Sequence, residues 1–102
     1  MDRKKIIRLR KYGWRVGDAA DFLGLTQEES SYIETKIAVA RFIQKKRLLK
    51  HMTQQQLASL IRSSQSRVAK IEKSDPSVSL DLLVRTLFAL GATKPELAKA
   101  IA

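Results

Sequence analysis

Apolar residues recur along this chain at spacings of three and four, the period of a helix, and runs that alternate as in a strand are weak everywhere. The pattern predicts an all-α protein. Its longest stretch opens at Thr26 and runs towards Lys50. Ile33, Ile37, Ala40 and Ile43 share one helical face there, and Arg47 takes the next place on it. Thr26 with Glu29 has the spacing of a capping box, which fixes where this helix starts. Leu57 and Ile61, then Val68 and Ile71, mark two short amphipathic helices with facing apolar stripes. Thr53 with Gln56 caps the first and Ser64 caps the second, across a turn too tight for bulky packing. Ala58 lies between the stripes, where a small side chain lets two helix axes approach. Residues 74–77 form a loop, because Pro76 cannot continue a helix. Ser79 opens a further helix with Leu80, Leu83, Leu87 and Leu90 inward, stopped at Gly91. Thr93, with Pro95 in the first turn and Glu96 three residues on, opens a last one through Leu97 and Ile101.

Upstream the pattern is less regular. A short helix is predicted around Arg3 to Lys11. Gly13 and Gly17 bracket a turn at Trp14-Arg15-Val16, and Asp18 caps a short helix through Phe22 and Leu23 that Gly24 closes. The reading divides the chain into an N-terminal extension, 1–34, holding short helices and the start of the long one, and a main domain, 35–102.

Charge adds a partner to this picture. The chain has 102 residues, 44% of them apolar, enough for one compact core. It carries 20 Lys and Arg against 10 Asp and Glu, a net +10, with a pI of about 10.3. A polyanion is the leading partner class. The distribution is uneven. Residues 1–15 hold seven basic groups and one acidic, 16–34 hold five acidic and no basic, 35–73 hold ten basic and one acidic, and 74–102 balance. The larger basic block coincides with the two short helices. The outward residues of the second are Gln65, Ser66, Arg67, Ala69 and Lys70, chemically suited to base edges and phosphates.

Several segments together carry a resemblance: Thr53-Gln54 before the first short helix, Leu57-Ala58 inside it, Ser64-Gln65-Ser66 at the start of the second, Val68 and Ile71 in its core, then Glu72 and a leucine-rich helix. From about Val39 to Leu90 the chain resembles the Xre type of helix-turn-helix, the family of phage repressors and Cro proteins. The resemblance implies a phage-repressor-like bundle of about five helices, with the N-terminal helical extension added, that binds double-stranded DNA and represses transcription. It implies that Gln54 meets a phosphate, that Gln65, Ser66 and Lys70 face base edges, and that Arg47 and Glu72 form a largely buried ion pair. Arg67 lies on the same face and meets backbone or base; Arg62, Lys50 and Lys73 are further candidate backbone contacts. Arg47 extends an apolar stripe and needs a partner there, or else it is an exposed cation adding to the DNA-facing charge. Arg62 departs from the family pattern, which usually has glycine at this turn. It must take a left-handed conformation at a cost of ~1 kcal/mol, or the turn must use another geometry. One such helix covers only a few base pairs. The expectation is therefore a homodimer on a near-palindrome with half-sites ~10 base pairs apart, joined through the last helix with Leu97 and Ile101 or through the N-terminal extension.

A second resemblance covers the N-terminal end. Gly13-Trp14-Arg15-Val16-Gly17-Asp18, then Asp21-Phe22-Leu23-Gly24-Leu25-Thr26, then Glu28-Glu29, is similar to bacterial HigA-like antitoxins. It implies repression of the chain's own operon and a small toxin protein as a second partner, so an antitoxin whose main task is toxin binding is one alternative. A protein-protein adaptor using the same fold without reading sequence is another. Trp14 packs with Val16, Phe22 and Leu25 in a small accessory core, or anchors an interface. The acidic run Asp18, Asp21, Glu28, Glu29 and Glu34 is a solvated face, a guard that keeps this end off DNA, or a surface for a basic toxin. The cluster Arg3, Lys4, Lys5, Arg8, Arg10 and Lys11 is an arm tracking a groove, or a helix docked through Ile6, Ile7 and Leu9.

Enzyme classes find little support. There is no cysteine, a lone histidine (His51, read as a turn residue or phosphate neighbour), no glycine-rich phosphate loop and no carboxylate pair at metal-binding spacing. No catalysis, cofactor or metal is expected. No apolar run approaches the ~20 residues of a membrane span, and Arg8, Arg10 and Lys11 interrupt any signal-peptide reading. The expectation is a cytoplasmic protein with no membrane partner.

Overall fold

The computed structural model describes residues 26–102. The helices expected near Arg3 to Lys11 and after Asp18, and the accessory core around Trp14, lie outside the described residues. Within them five helices follow one another: α1 Gln27–Leu49, α2 Gln54–Leu60, α3 Gln65–Glu72, α4 Leu80–Ala89 and α5 Lys94–Ile101. No strand occurs among the described residues. Lys36–Ala102 form one compact unit.

Local chemistry sets the helix starts. Thr53 Oγ1 accepts the Gln56 N–H at 3.0 Å while Gln56 Oε1 accepts the Thr53 N–H at 2.7 Å. Thr93 and Glu96 repeat this reciprocal pair at 3.3 and 2.9 Å. Ser64 Oγ accepts from Arg67 at 3.2 Å and Ser79 Oγ from Leu82 at 3.1 Å. Each such cap is worth ~1 kcal/mol, because it satisfies an N–H that the helix cannot. Thr26 does the same for Glu29 at 3.1 Å, but here the Glu29 carboxylate accepts from the Thr26 hydroxyl, also at 3.1 Å.

The core collects one stripe from each of four helices. Val39, Ala40 and Ile43 come from α1, Leu57 and Ala58 from α2, Val68 and Ile71 from α3, and Leu83 and Leu87 from α4, with Val78, Leu90 and Ala92 filling in from the loops and helix ends. Full burial of a side chain such as Ile43 contributes ~1.5–3 kcal/mol. Ile61 differs from its expected place. It ends α2, its N–H bonded to Leu57 O at 3.1 Å, and packs against the core only half-buried. Ile101 is likewise 45% exposed.

Every joint between helices turns on one left-handed residue: His51 (φ 56) between α1 and α2, Arg62 (φ 55) between α2 and α3, Ser74 (φ 52) between α3 and α4, and Gly91 (φ 86) between α4 and α5. Only the last is glycine, which takes this conformation freely; for the other three the Cβ opposes it by roughly 1–2 kcal/mol.

α5 is tied to α1 by Lys46 Nζ, 3.0 Å from Glu96 Oε2. The Thr93 backbone N–H and then the Lys46 ammonium hold the Glu96 carboxyl well below its ordinary value, at about 2. A carboxylate lowered by folding adds stability above its ordinary value of 4.5 and loses that contribution as pH falls towards 2. NMR titration should therefore find the Glu96 midpoint near 2. Lys46→Ala should raise it while leaving it below 4.5, since the larger cause, the Thr93 backbone bond, is untouched. No described helix is long and apolar enough to cross a membrane.

Candidate nucleic-acid interface

The site is built on α2, the turn after it, and α3. Ser63 N–H bonds Ala58 O at 2.8 Å and Arg62 N–H bonds Ser59 O at 3.3 Å, which closes α2 and reverses the chain within three residues. Arg62 takes the left-handed conformation, the first of the two options left open above. Ala58 sits fully buried at the crossing, with Leu57, Val68 and Ile71 around it in the same core.

Behind the exposed surface runs a chain of polar contacts. Arg47 Nε donates to Glu72 Oε2 at 2.6 Å and Nη2 to Glu72 Oε1 at 3.1 Å, a two-pronged ion pair whose side chains are 9% and 3% exposed. Arg47 Nη1 donates to Met52 O at 2.7 Å. One guanidinium thus links the end of α1, the approach to α2 and the end of α3. Glu72 Oε1 also accepts from Gln54 Nε2 at 3.2 Å, and Gln54 Oε1 accepts from Gln65 Nε2 at 2.8 Å. The relay begins in the interior and ends at the exposed first residue of α3. Geometry of this kind survives burial because nearly every polar atom has a partner.

Gln54 is therefore half-buried and engaged on both ends of its amide, with one amide hydrogen left over. Gln65 keeps one amide hydrogen and its carbonyl oxygen. Ser66 is exposed, its Oγ 3.2 Å from Ser64 Oγ. Arg67 and Lys70 are exposed on the same helix, away from buried Val68 and Ile71, and Lys73 is its exposed C-cap. Arg62 stands exposed at the turn. Lys46–Glu96, Arg47–Glu72 and Arg85–Asp81 form ion pairs, and among the described residues Arg62, Arg67, Lys70 and Lys73 take part in none of them. Lys50 is exposed with its Nζ 3.5 Å from where a Cβ on Gly91 would lie. That puts its ammonium at the carbonyl end of α4, where a helix dipole attracts cations. His51 is an exposed turn residue. Among the described residues, no cluster of three or more His, Asp or Glu could hold a metal ion.

The family resemblance implies a phosphate contact for Gln54; its bonds to Glu72 and Gln65 are not legible in the sequence. Those partners lie 18 and 11 residues away, and helical spacing carries no information across that distance.

Arg62 makes a prediction with opposite signs for stability and binding. Arg62→Gly should stabilise the fold by up to ~1 kcal/mol, because the left-handed turn no longer strains a Cβ. If the side chain also meets a phosphate, the same change should reduce the salt slope of DNA binding by about one. Thermal unfolding and a salt series of DNA titrations check the two halves separately.

A family model described as Helix-turn-helix matches residues 43–97, just over half of the chain. The N-terminal likeness to HigA-like antitoxins falls before that match. Neither the curated proteins nor the solved structures compared with the chain include a match. With the helical bundle and the two-helix reading unit in place, the matched family settles the assignment: the chain belongs to the Xre/Cro-type helix-turn-helix family of DNA-binding regulators.

Proposed function

We propose that this regulator represses its own operon, as a homodimer in the cytoplasm that lays α3 into the major groove of a near-palindromic site. In this reading Gln65, Ser66 and Lys70 contact base edges. Gln54, Arg62, Arg67 and Lys73 contact the phosphate backbone and set the register, with Lys50 a further candidate at the edge of the site. One observation carries the proposal: Gln65, at the exposed start of α3, is held through Gln54 by a buried ion pair, beside cations that form no ion pair among the described residues. A side chain used only for solubility gains nothing from such anchoring, whereas a base-reading amide needs its orientation fixed before binding.

The test is fluorescence anisotropy with a duplex carrying the gene's own upstream region, against a scrambled duplex, across a salt series. A preference of ~10³ or more with a steep salt slope supports a specific self-repressor. Equal affinity for both duplexes would mean backbone binding alone and would sink the reading. Sedimentation of the complex should find two copies per duplex.

The acidic block at residues 16–34, with no basic group, favours a second reading, an antitoxin that holds a small basic toxin. It requires an adjacent open reading frame whose expression alone stops growth; the absence of one removes it.

A further inference from the structure

We propose that α5 is a latch that opens as a unit while α1 to α4 stay folded, and that the Lys46–Glu96 ion pair sets how far it stands open. The proposal rests on how little holds this helix. None of its eight residues is buried. By contrast α2 buries Leu57 and Ala58, α3 buries Val68, Ile71 and Glu72, and α4 buries Leu83, Thr86 and Leu87. On α5 only Leu97 packs against the core, and only partly, while Ile101 at its end is 45% exposed. Lys46–Glu96, at 3.0 Å, is the one side-chain polar contact between α5 and another helix among the described residues. The same Lys46 Nζ lies 6.0 Å from the centre of the Phe42 ring, so a single ammonium on α1 serves both the carboxylate and the ring.

The joint in front of the helix is suited to such movement. Gly91 holds its left-handed turn without strain, its N–H bonded to Phe88 O at 2.9 Å. An isolated helix of eight residues does not persist in water. Opening therefore means both detachment of Leu97 and melting of the helix, a local event at the low end of the stability range. The ion pair is partly exposed, with side chains 17% and 40% accessible, so salt screens it. The latch loosens over the same ionic strengths that weaken phosphate contacts.

Residue-resolved amide hydrogen exchange on the full chain tests this, comparing α5 with the Leu83 and Leu87 amides of α4. Glu96→Gln is the informative variant, because glutamine keeps both capping bonds with Thr93 through Oε1 and the backbone, and removes the charge and the acceptor that face Lys46. The α5 amides should exchange at least ~10-fold faster than those of α4 in the unaltered protein. Glu96→Gln and added salt should each speed α5 by a further ~2–5-fold, the size a partly exposed pair carries, and leave α4 unchanged. Exchange of α5 at the α4 rate overturns the latch. Acceleration of both helices alike, or of neither, overturns the role given to Lys46 and Glu96.

Discussion

Glu72→Ala should destabilise the protein by ~3–5 kcal/mol, because it leaves the Arg47 guanidinium buried without its counter-charge. A domain of this size has only ~5–15 kcal/mol in total, and each kcal/mol moves the unfolding midpoint by ~4–8 °C, so the midpoint should fall by at least ~10 °C. The loss is larger than that of a surface pair, since both side chains are nearly inaccessible and the arginine also bonds the Met52 carbonyl. Replacing both partners together, Arg47→Met with Glu72→Leu, should recover much of the loss, because it removes the stranded charge as well as the pair. Circular dichroism melts of the three variants decide the matter; an unmoved midpoint for Glu72→Ala would show that the pair carries no weight. The double variant has a second use. It cuts Gln54 off from its anchor, so it should be stable and yet bind DNA less tightly.

Lys70→Ala is expected to weaken binding to the preferred site by ~1–3 kcal/mol and to relax selection at one base position. Lys70 is exposed on α3 and makes no ion pair among the described residues, so its removal leaves the fold intact. Selection from a randomised duplex pool, read for both proteins, separates a base contact from a backbone contact. A profile flattened at one position marks the former. A uniform loss of affinity with an unchanged profile would reassign Lys70 to the phosphates.

The helices were legible in the sequence because their causes are local. A cap and its partner stand three residues apart, and an apolar stripe repeats within two turns, so Thr53, Ser64, Ser79 and Thr93 announce their helices without knowledge of anything distant. The period also places Ser66 and Lys70 opposite Val68 and Ile71, and puts Arg47 on the stripe of Ile43. What it cannot supply is the partner. Glu72 lies 25 residues from Arg47, and Gln65 meets Gln54 across a turn whose geometry hung on the conformation of Arg62. The end of α2 is a related case: a stripe puts Ile61 on the inward face, where it packs against the core, but does not say that the backbone stops being helical there and leaves the side chain half-buried. Lys50 reads as one more member of a basic block, and its position beside Gly91 follows only from the packing of α4.

The left-handed residues at the joints bear on how long each molecule lasts in a cell. His51, Arg62 and Ser74 each hold a conformation that glycine takes freely. Glycine at all three should give changes that largely add, since each sits at a different turn. A fold carrying such strain is open more often, and proteases sample the open form. The glycine variant should therefore persist longer after synthesis is shut off. If the protein silences its own gene, as proposed, slower clearance lengthens the delay before the gene is read again, and these three side chains would then set the time of recovery.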